Sequence, residues 1–100
     1  MTLHGIEIPE NRIAAFCRAN GIRRLALFGS ILRDDFRPDS DVDMLVEFQP
    51  GVRVGFAFIR MQDKLSAILG HKVDLNTPGF LSKYFRDDVM KEAEAVYVAA

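Results

Sequence analysis

The side chains of this 100-residue chain that are best suited to chemistry are two aspartates separated by one residue, Asp41 and Asp43. They begin the segment 41–48, in which every second residue from Val42 onward is apolar, and this alternation predicts a β-strand. Residues i and i+2 of a strand point the same way, so the two carboxylates should lie side by side. Two carboxylates about 5 Å apart repel by about 3 kcal/mol at an effective dielectric near 20, and a divalent cation between them reverses the sign of that energy. The spacing therefore predicts a cation site.

The chemistry of the ligand atoms indicates which cation would bind. Carboxylate oxygens with no nearby cysteine or paired histidine favour Mg²⁺ or Mn²⁺ over zinc. Asp74, between Val73 and Leu75, is a candidate third carboxylate on the next predicted strand. Three carboxylates suit a site for two metal ions, one on an attacking oxygen and one on the phosphates of a substrate.

A short turn that could bind those phosphates precedes the two aspartates. Gly29 allows close approach of a phosphate to the backbone, and Ser30 offers a hydroxyl where a helix N-terminus presents free N–H groups. Arg33, about one helical turn further on, could reach the same phosphates or could pair with Asp34 or Asp35. The turn is not a Walker A loop, because no Gly-Lys-Ser/Thr occurs in the chain.

Simpler interpretations of the acidic residues remain open. Five aspartates lie between positions 34 and 43 and could form an ordinary solvated loop, and Asp74 could cap a turn at the end of a strand. An EF-hand loop starting at Asp39 is excluded, because Met44 and Pro50 occupy the positions that require glycine and a bidentate glutamate.

Length and composition limit the class of protein. One hundred residues, 49% of them apolar, predict a single domain over 1–100 with a hydrophobic core. The net charge of −1 argues against a general nucleic-acid binder. Cys17 is the only cysteine, so no internal disulfide can form, and we expect a reducing, cytoplasmic setting. No signal peptide is visible, and no apolar run approaches the roughly 18 residues of a membrane span.

Alternating strands and helices around one sheet predict an α/β or α+β domain. The first half of the chain is predicted to contain a helix that starts near Pro9 and stops before Gly21, a strand over 22–28, a short helix from Ser30 or Ile31, a loop over 33–40 and a strand over 41–48. The second half is predicted to contain a helix from about Arg53 to Leu69, a strand over 72–76 and a turn over 77–79. The last predicted elements are a helix capped by Ser82 that packs through Phe85, Val89 and Ala93, and a strand over 95–98.

Four consecutive apolar residues, 56–59, are wider than the core-facing stripe of one helix. Either the sheet and a neighbouring helix cover both sides of this segment, or it belongs to a surface that binds a partner. The partner could be a second copy of the chain or another protein.

The pattern Gly-Ser-x-x-Arg-x-Asp-x-x-x-x-Ser-Asp-x-Asp over 29–43, followed by residues 45–48, resembles the signature of the minimal nucleotidyltransferases. These belong to the polymerase-beta-like nucleotidyltransferase superfamily. The similarity extends to the leading helix, to residues 72–75 around Asp74, and to the closing segment 84–97. Two positions depart from the commonest pattern, with Leu32 where a small alanine is usual and Asp34 where glycine is usual.

This resemblance implies a mixed sheet flanked by helices, ATP as the substrate, and two Mg²⁺ ions, with Mn²⁺ as a possible substitute. Asp74 would also act as the base for the acceptor hydroxyl. By the same resemblance, the catalytic and metal-binding residues would be Asp41, Asp43 and Asp74, and the nucleotide-binding residues Gly29, Ser30, Arg33 and Ser40.

The resemblance also implies a partner. Minimal nucleotidyltransferases of this length are commonly paired with a separately encoded HEPN-domain protein in toxin–antitoxin modules. In such modules the HEPN protein is a ribonuclease. The resemblance implies that the nucleotidyltransferase is the antitoxin, which silences the ribonuclease by moving AMP from ATP onto one of its tyrosines. We expect no membrane and no direct nucleic-acid binding, and a homo-oligomer is compatible with the sequence. Two other hypotheses remain open, namely a non-catalytic antitoxin that neutralises its partner by contact and a nucleotidyltransferase that acts on RNA or a small molecule.

Overall fold

The computed structural model describes residues 1–100 and is organised around one mixed β-sheet. The strands are β1 (Thr2–Leu3), β2 (Ile6–Glu7), β3 (Ile22–Phe28), β4 (Val42–Phe48), β5 (Val73–Asn76) and β6 (Glu94–Val98). The α-helices are α1 (Glu10–Ala19), α2 (Ala57–Leu69) and α3 (Arg86–Glu92), and two 3₁₀ helices span Gly29–Leu32 and Pro78–Phe80. The prediction of a mixed sheet flanked by helices is therefore confirmed.

The order of the strands decides which loops meet. The main sheet runs β5-β4-β3-β6, while β1 and β2 form a separate antiparallel pair. Strand β3 is antiparallel to both β4 and β6, and β4 is parallel to β5. A parallel pair needs a crossover connection, which α2 supplies between β4 and β5. As a result the end of β3, the beginning of β4 and the beginning of β5 lie at the same end of the sheet.

The hydrophobic core lies between one face of this sheet and the first two helices. From β4, Val42, Met44 and Val46 are fully buried, and each such side chain contributes about 1.5–3 kcal/mol of burial free energy. The remaining buried members of the core come from the connection between β2 and α1, from α1, from β3 and the turn that follows it, from α2 and from β5. They are Ile8, Ile13, Phe16, Cys17, Ile22, Leu25, Leu27, Ile31, Met61, Leu65, Leu69, Val73 and Leu75. The alternation of β4 therefore directs Asp43 and Glu47 to the opposite face, as the sequence predicts.

Helix α2 begins at Ala57, four residues later than the sequence predicts. Gly55 has φ of +53°, a left-handed conformation that no α-helix contains, so the helix cannot extend back to Arg53. Its C-terminus is as expected, because Gly70 caps it with φ of +65°. Phe56 and Ile59 remain largely exposed, so the sheet and helices do not cover both sides of the 56–59 segment.

The prediction for the last helix is wrong in two respects. Ser82 does not cap α3, which begins at Arg86 after Phe85; the Ser82 hydroxyl instead accepts a hydrogen bond from the Tyr84 amide at 3.3 Å. Phe85 is exposed and no residue of α3 is buried, although Val89 is half-buried. A seven-residue helix at the sheet edge has too few turns to bury a full apolar stripe.

No helix of the structure combines the length and the apolar character needed to cross a membrane.

Candidate active site

Asp43 and Asp74 lie opposite each other in the parallel pair of strands β4 and β5. Both occupy the sheet face that points away from the core, because their neighbours Val42 and Val73 are buried on the other face. Neighbouring strands are about 4.8 Å apart, so the ladder itself holds the two carboxylates close together. Asp41 precedes β4 by one residue and lies two residues before Asp43.

The electrostatics of Asp43 indicate that the acidic residues share one environment. Partial burial, and after it the negative charges of Asp74 and then Asp41, raise the pKa of the Asp43 carboxyl to about 6, while the Arg33 guanidinium acts in the opposite direction. These influences come from three separate segments of the chain. The structure therefore places Asp41, Asp74 and Arg33 within electrostatic range of Asp43. Their shared role in a metal and nucleotide site stays a prediction.

The carboxylates do not by themselves form a closed metal cage. No three histidine, cysteine or acidic side chains are close enough to hold an ion on their own, and the Asp41 carboxylate lies 3.8 Å from the exposed Lys72 ammonium. An exposed ion pair of this kind is weak and easily exchanged for another cation. The donors that are present, carboxylate oxygens open to solvent, fit Mg²⁺, which is usually held by one or two carboxylates together with water and substrate phosphates.

The predicted phosphate-binding turn directly adjoins this acidic cluster. Strand β3 ends at Phe28, which pairs with Asp43, and the 3₁₀ helix begins at the next residue, Gly29. Gly29 has φ of +77°, and a Cβ at this position would overlap the Asp43 carboxylate. Only glycine satisfies both constraints. The turn and the Asp43 carboxylate are therefore in direct contact.

The other predicted nucleotide-binding residues differ in how the structure uses them. The Ser30 hydroxyl makes no hydrogen bond to the protein and is free to bind a ligand. The Arg33 Nε atom lies 3.5 Å from the Asp35 carboxylate, which is one of the pairings that the sequence left open. The Ser40 hydroxyl accepts a hydrogen bond from the Arg37 amide at 3.0 Å and so stabilises the loop. A role of Ser40 in nucleotide binding stays a prediction.

Comparison with protein families gives a match over most of the chain. The model of the nucleotidyltransferase domain matches residues 10–96, which include β3, the turn at Gly29 and all three aspartates. The chain belongs to the nucleotidyltransferase domain family. A nucleotide is accordingly the substrate class of this domain.

Individual relatives agree with this nucleotidyltransferase assignment. The protein adenylyltransferase MntA of Thermococcus cleftensis is 37% identical over 78 residues, which cover 78% of this chain and 76% of that protein. A solved structure described provisionally as a minimal nucleotidyltransferase has a TM-score of 0.71 at 32% identity, with 85% of this chain and 86% of that chain covered. The antitoxin in complex with a tri-AMPylated HEPN toxin of Shewanella oneidensis has a TM-score of 0.63 at 23% identity, with 90% and 70% covered, and shares the fold.

One residue of this nucleotidyltransferase site was not found by sequence reasoning. The Glu92 carboxylate, at the end of α3, accepts hydrogen bonds from the Gly29 amide at 2.8 Å and from Arg33 Nη1 at 3.3 Å. It lies 63 residues from Gly29 in the chain, so no local motif connects the two. The only signal would be topological, since β6 pairs with β3 and Glu94 stands opposite Leu27.

The carboxylates of the nucleotidyltransferase lie on an open surface. The largest cavity, of about 400 Å³, is lined by His4, Ile6, Phe36, Arg37, Pro38 and His71 and includes none of the three aspartates. There His71 Nε2 contacts the Ser40 carbonyl at 2.6 Å. The acidic cluster is thus accessible from the side of the sheet that faces away from the core.

Proposed function

We propose that this nucleotidyltransferase uses Mg²⁺-ATP to transfer AMP onto a tyrosine hydroxyl of a HEPN-domain partner, and so acts as the antitoxin of a toxin–antitoxin module. The observation that carries the proposal is the placement of Asp43 opposite Asp74 in the β4–β5 ladder, next to the glycine turn that follows β3. Nucleotidyl transfer needs this combination of acidic residues, which hold metal ions, and hydrogen-bond donors, which bind phosphates.

Each element of the site has a role in this proposal. Asp41, Asp43 and Asp74 would hold divalent cations, which neutralise the charge of the phosphates and of the leaving pyrophosphate when bound. Gly29 would let the triphosphate approach the backbone closely, and the Ser30 hydroxyl would bind it, with Arg33 beside them. Because the strands fix these groups before substrate arrives, catalysis would depend mainly on positioning and charge neutralisation.

The transfer itself is a substitution at the α-phosphorus of ATP. The acceptor oxygen forms a bond to this phosphorus, the bond to the oxygen that bridges to the β-phosphate breaks, and pyrophosphate leaves. The proton of the acceptor hydroxyl passes to the Asp74 carboxylate, which lies on the outer strand β5 and is exposed. The exposed position of Asp74 leaves room for an acceptor that belongs to another protein.

The identity of the acceptor is supported by the relatives and by the shape of the site. The Thermococcus cleftensis relative is named a protein adenylyltransferase, and a structure of similar fold contains an AMPylated HEPN toxin. The acidic cluster is open to solvent rather than enclosed, which suits a side chain presented by a macromolecule. The net charge of −1 offers no general attraction for RNA as an alternative acceptor.

The proposal is tested with α-labelled ATP, Mg²⁺, the purified chain and a HEPN protein encoded beside it. We expect label on the wild-type HEPN protein, none after its acceptor tyrosine is changed to phenylalanine, and a loss of at least about 100-fold for Asp43→Asn or Asp41→Asn. Asp39→Asn is the matched control, because Asp39 is an exposed acid of the same segment that makes no ion pair.

Equal labelling by the wild type and the Asp43→Asn variant would refute the proposed chemistry. A chain that neutralises HEPN toxicity equally well with both aspartates replaced would instead favour a non-catalytic antitoxin. Label that appears on RNA or a small molecule, but not on the HEPN protein, would favour the third hypothesis.

A further inference from the structure

Glu92 makes contacts that differ from those of an ordinary surface acid. A single carboxylate oxygen, Oε1, accepts from the backbone N–H of Gly29 at 2.8 Å and from the Arg33 guanidinium at 3.3 Å. Both donors belong to the turn that is expected to bind phosphates. Hydrogen bonds to an ionised acceptor are roughly twice as strong as bonds between neutral groups.

The backbone holds Glu92 in this position. Glu92 is the last residue of α3, and β6 begins two residues later with Glu94, which pairs with Leu27 of β3. Leu27 in turn lies two residues before Gly29. The antiparallel β3–β6 pair therefore brings the end of α3 against the start of the 3₁₀ helix, and only the side chain of Glu92 has to bridge the remaining distance.

The turn needs such a contact because glycine restrains its own conformation poorly. Gly29 has no side chain to pack and adopts φ of +77°. The Asp43 carboxylate lies against its Cα on one side, and Glu92 holds its N–H group. The Gly29 backbone is thus fixed between two carboxylates from different elements of the fold, one from β4 and one from the end of α3.

Glu92 does not exhaust the donors of Arg33. A guanidinium group has five N–H donors in a planar fork. Arg33 directs Nε toward Asp35 and Nη1 toward Glu92, and its Nη2 atom makes no bond to the protein. Arg33 can therefore be held by both acids and still present donors to an oxygen of a phosphate.

We propose that Glu92 is a positioning residue of the nucleotide site, which holds the Gly29 backbone and the Arg33 guanidinium in place so that the Ser30 hydroxyl and the remaining Arg33 donors are presented to the triphosphate. This role rests on the proposed function and adds a residue from the last helix to it. Glu92 itself touches neither substrate nor the reacting atoms. The alternative, in which Glu92 competes with the phosphates for the same donors, predicts the opposite effect on affinity.

The test compares Glu92→Ala, Glu92→Gln and the control Asp88→Ala in the complete chain. Asp88 lies on the same helix, is exposed and makes no ion pair or hydrogen bond. The readouts are the Kd of Mg²⁺-ATP, kcat and KM for transfer to the HEPN protein, and the melting temperature. The backbone amide resonance of Gly29 reports directly on its hydrogen bond without any nucleotide.

For Glu92→Ala we expect an increase of about tenfold or more in the Kd and KM for Mg²⁺-ATP, a kcat within about threefold of wild type, and a shifted Gly29 amide resonance. Glu92→Gln keeps an oxygen acceptor at the same place, so its Kd should stay within about threefold of wild type. Asp88→Ala should match wild type in every readout.

An unchanged or lower Kd in Glu92→Ala would overturn the positioning role, and a lower Kd would identify Glu92 as a competitor of the phosphates. A Glu92→Gln variant as impaired as Glu92→Ala would also overturn it, since the role requires an acceptor rather than a charge. Wild-type protein that binds no Mg²⁺-ATP would refute the proposed function itself, whereas normal wild-type binding with no effect of Glu92→Ala refutes only the role of Glu92.

Discussion

Replacement of Asp43 by asparagine should stabilise the protein while it abolishes transfer. Asp43 is partly buried beside Asp74 and Asp41, and this environment raises the pKa of its carboxyl from 3.8 to about 6. At neutral pH the group is therefore ionised where the fold disfavours a negative charge. Asparagine has nearly the same shape and carries no charge, so it removes this cost.

The size of the effect follows from the pKa. A rise from 3.8 to about 6 corresponds to about 3 kcal/mol at about 1.4 kcal/mol per pKa unit. Because Asp43 is only partly buried, solvent screening reduces the expected gain to about 1–2 kcal/mol in the free energy of unfolding. For a domain of this size, that gain raises the melting temperature by roughly 5–10 °C.

The pH dependence of the free energy of unfolding independently checks whether Asp43→Asn stabilises the protein. A carboxyl group whose pKa is higher in the folded state binds its proton more tightly there, so its stabilising contribution is complete below the unfolded pKa of 3.8 and is lost as pH rises through about 6. The advantage of Asp43→Asn should therefore be full at pH 7.5 and should vanish near pH 4, where wild-type Asp43 is already protonated.

The assay is chemical denaturation of the wild type, Asp43→Asn and the control Asp39→Asn at both pH values, without divalent cations. Asp39→Asn should change the free energy of unfolding by less than about 0.5 kcal/mol. Mg²⁺ should stabilise the wild type at pH 7.5 more than it stabilises Asp43→Asn. A variant that is less stable than wild type at pH 7.5, or an advantage that persists at pH 4, would refute the electrostatic argument.

Three further predictions concern other parts of the structure. Gly29→Ala should lower stability more than Gly51→Ala in thermal melts and should abolish Mg²⁺-ATP binding, because both positions have positive φ but only the Gly29 Cβ would meet Asp43; equal losses would contradict this. Leu65→Ala should cost about 2–5 kcal/mol in denaturation, since Leu65 is fully buried, and a loss below 1 kcal/mol would be inconsistent with that packing. Burial raises the pKa of the Cys17 thiol to about 12, so a thiol reagent at pH 8 should label it roughly a thousandfold more slowly than free cysteine until the protein unfolds; rapid labelling of the folded protein would contradict the buried position.

Local patterns predicted the central strands and most of the site because the relevant constraints are local. The alternation from Val42 to Phe48 fixes which face receives Asp43, and the glycine at the end of a buried strand marks the turn at Gly29. The pairing of Asp43 with Asp74 depends on two strands of known pattern and one parallel register. The site was therefore predictable once the order of the strands was known.

Other features depend on contacts that sequence periodicity does not report. The apolar pattern continues upstream of Ala57, yet the left-handed Gly55 delays the start of α2. Phe85 fits a helical stripe but stays exposed because α3 is short and lies at the sheet edge. Glu92 reaches Gly29 only through the β3–β6 pairing, and a charged residue near a helix C-terminus carries no distinguishing pattern.

The electrostatic repulsion on Asp43 and its proposed role in binding a cation have the same structural origin. Backbone hydrogen bonds of the β4–β5 ladder fix Asp43 opposite Asp74, so the repulsion between them cannot relax by separation of the strands. Asp41 precedes the ladder and can turn toward Lys72 instead. A divalent cation would release the remaining repulsion, and by linkage its affinity includes the free energy that the ionised Asp43 costs the ion-free fold. A protein that places two carboxylates in a rigid sheet therefore exchanges stability without the ion for affinity toward it, and substitutions that remove the repulsion should strengthen the ion-free fold while they weaken the ion site.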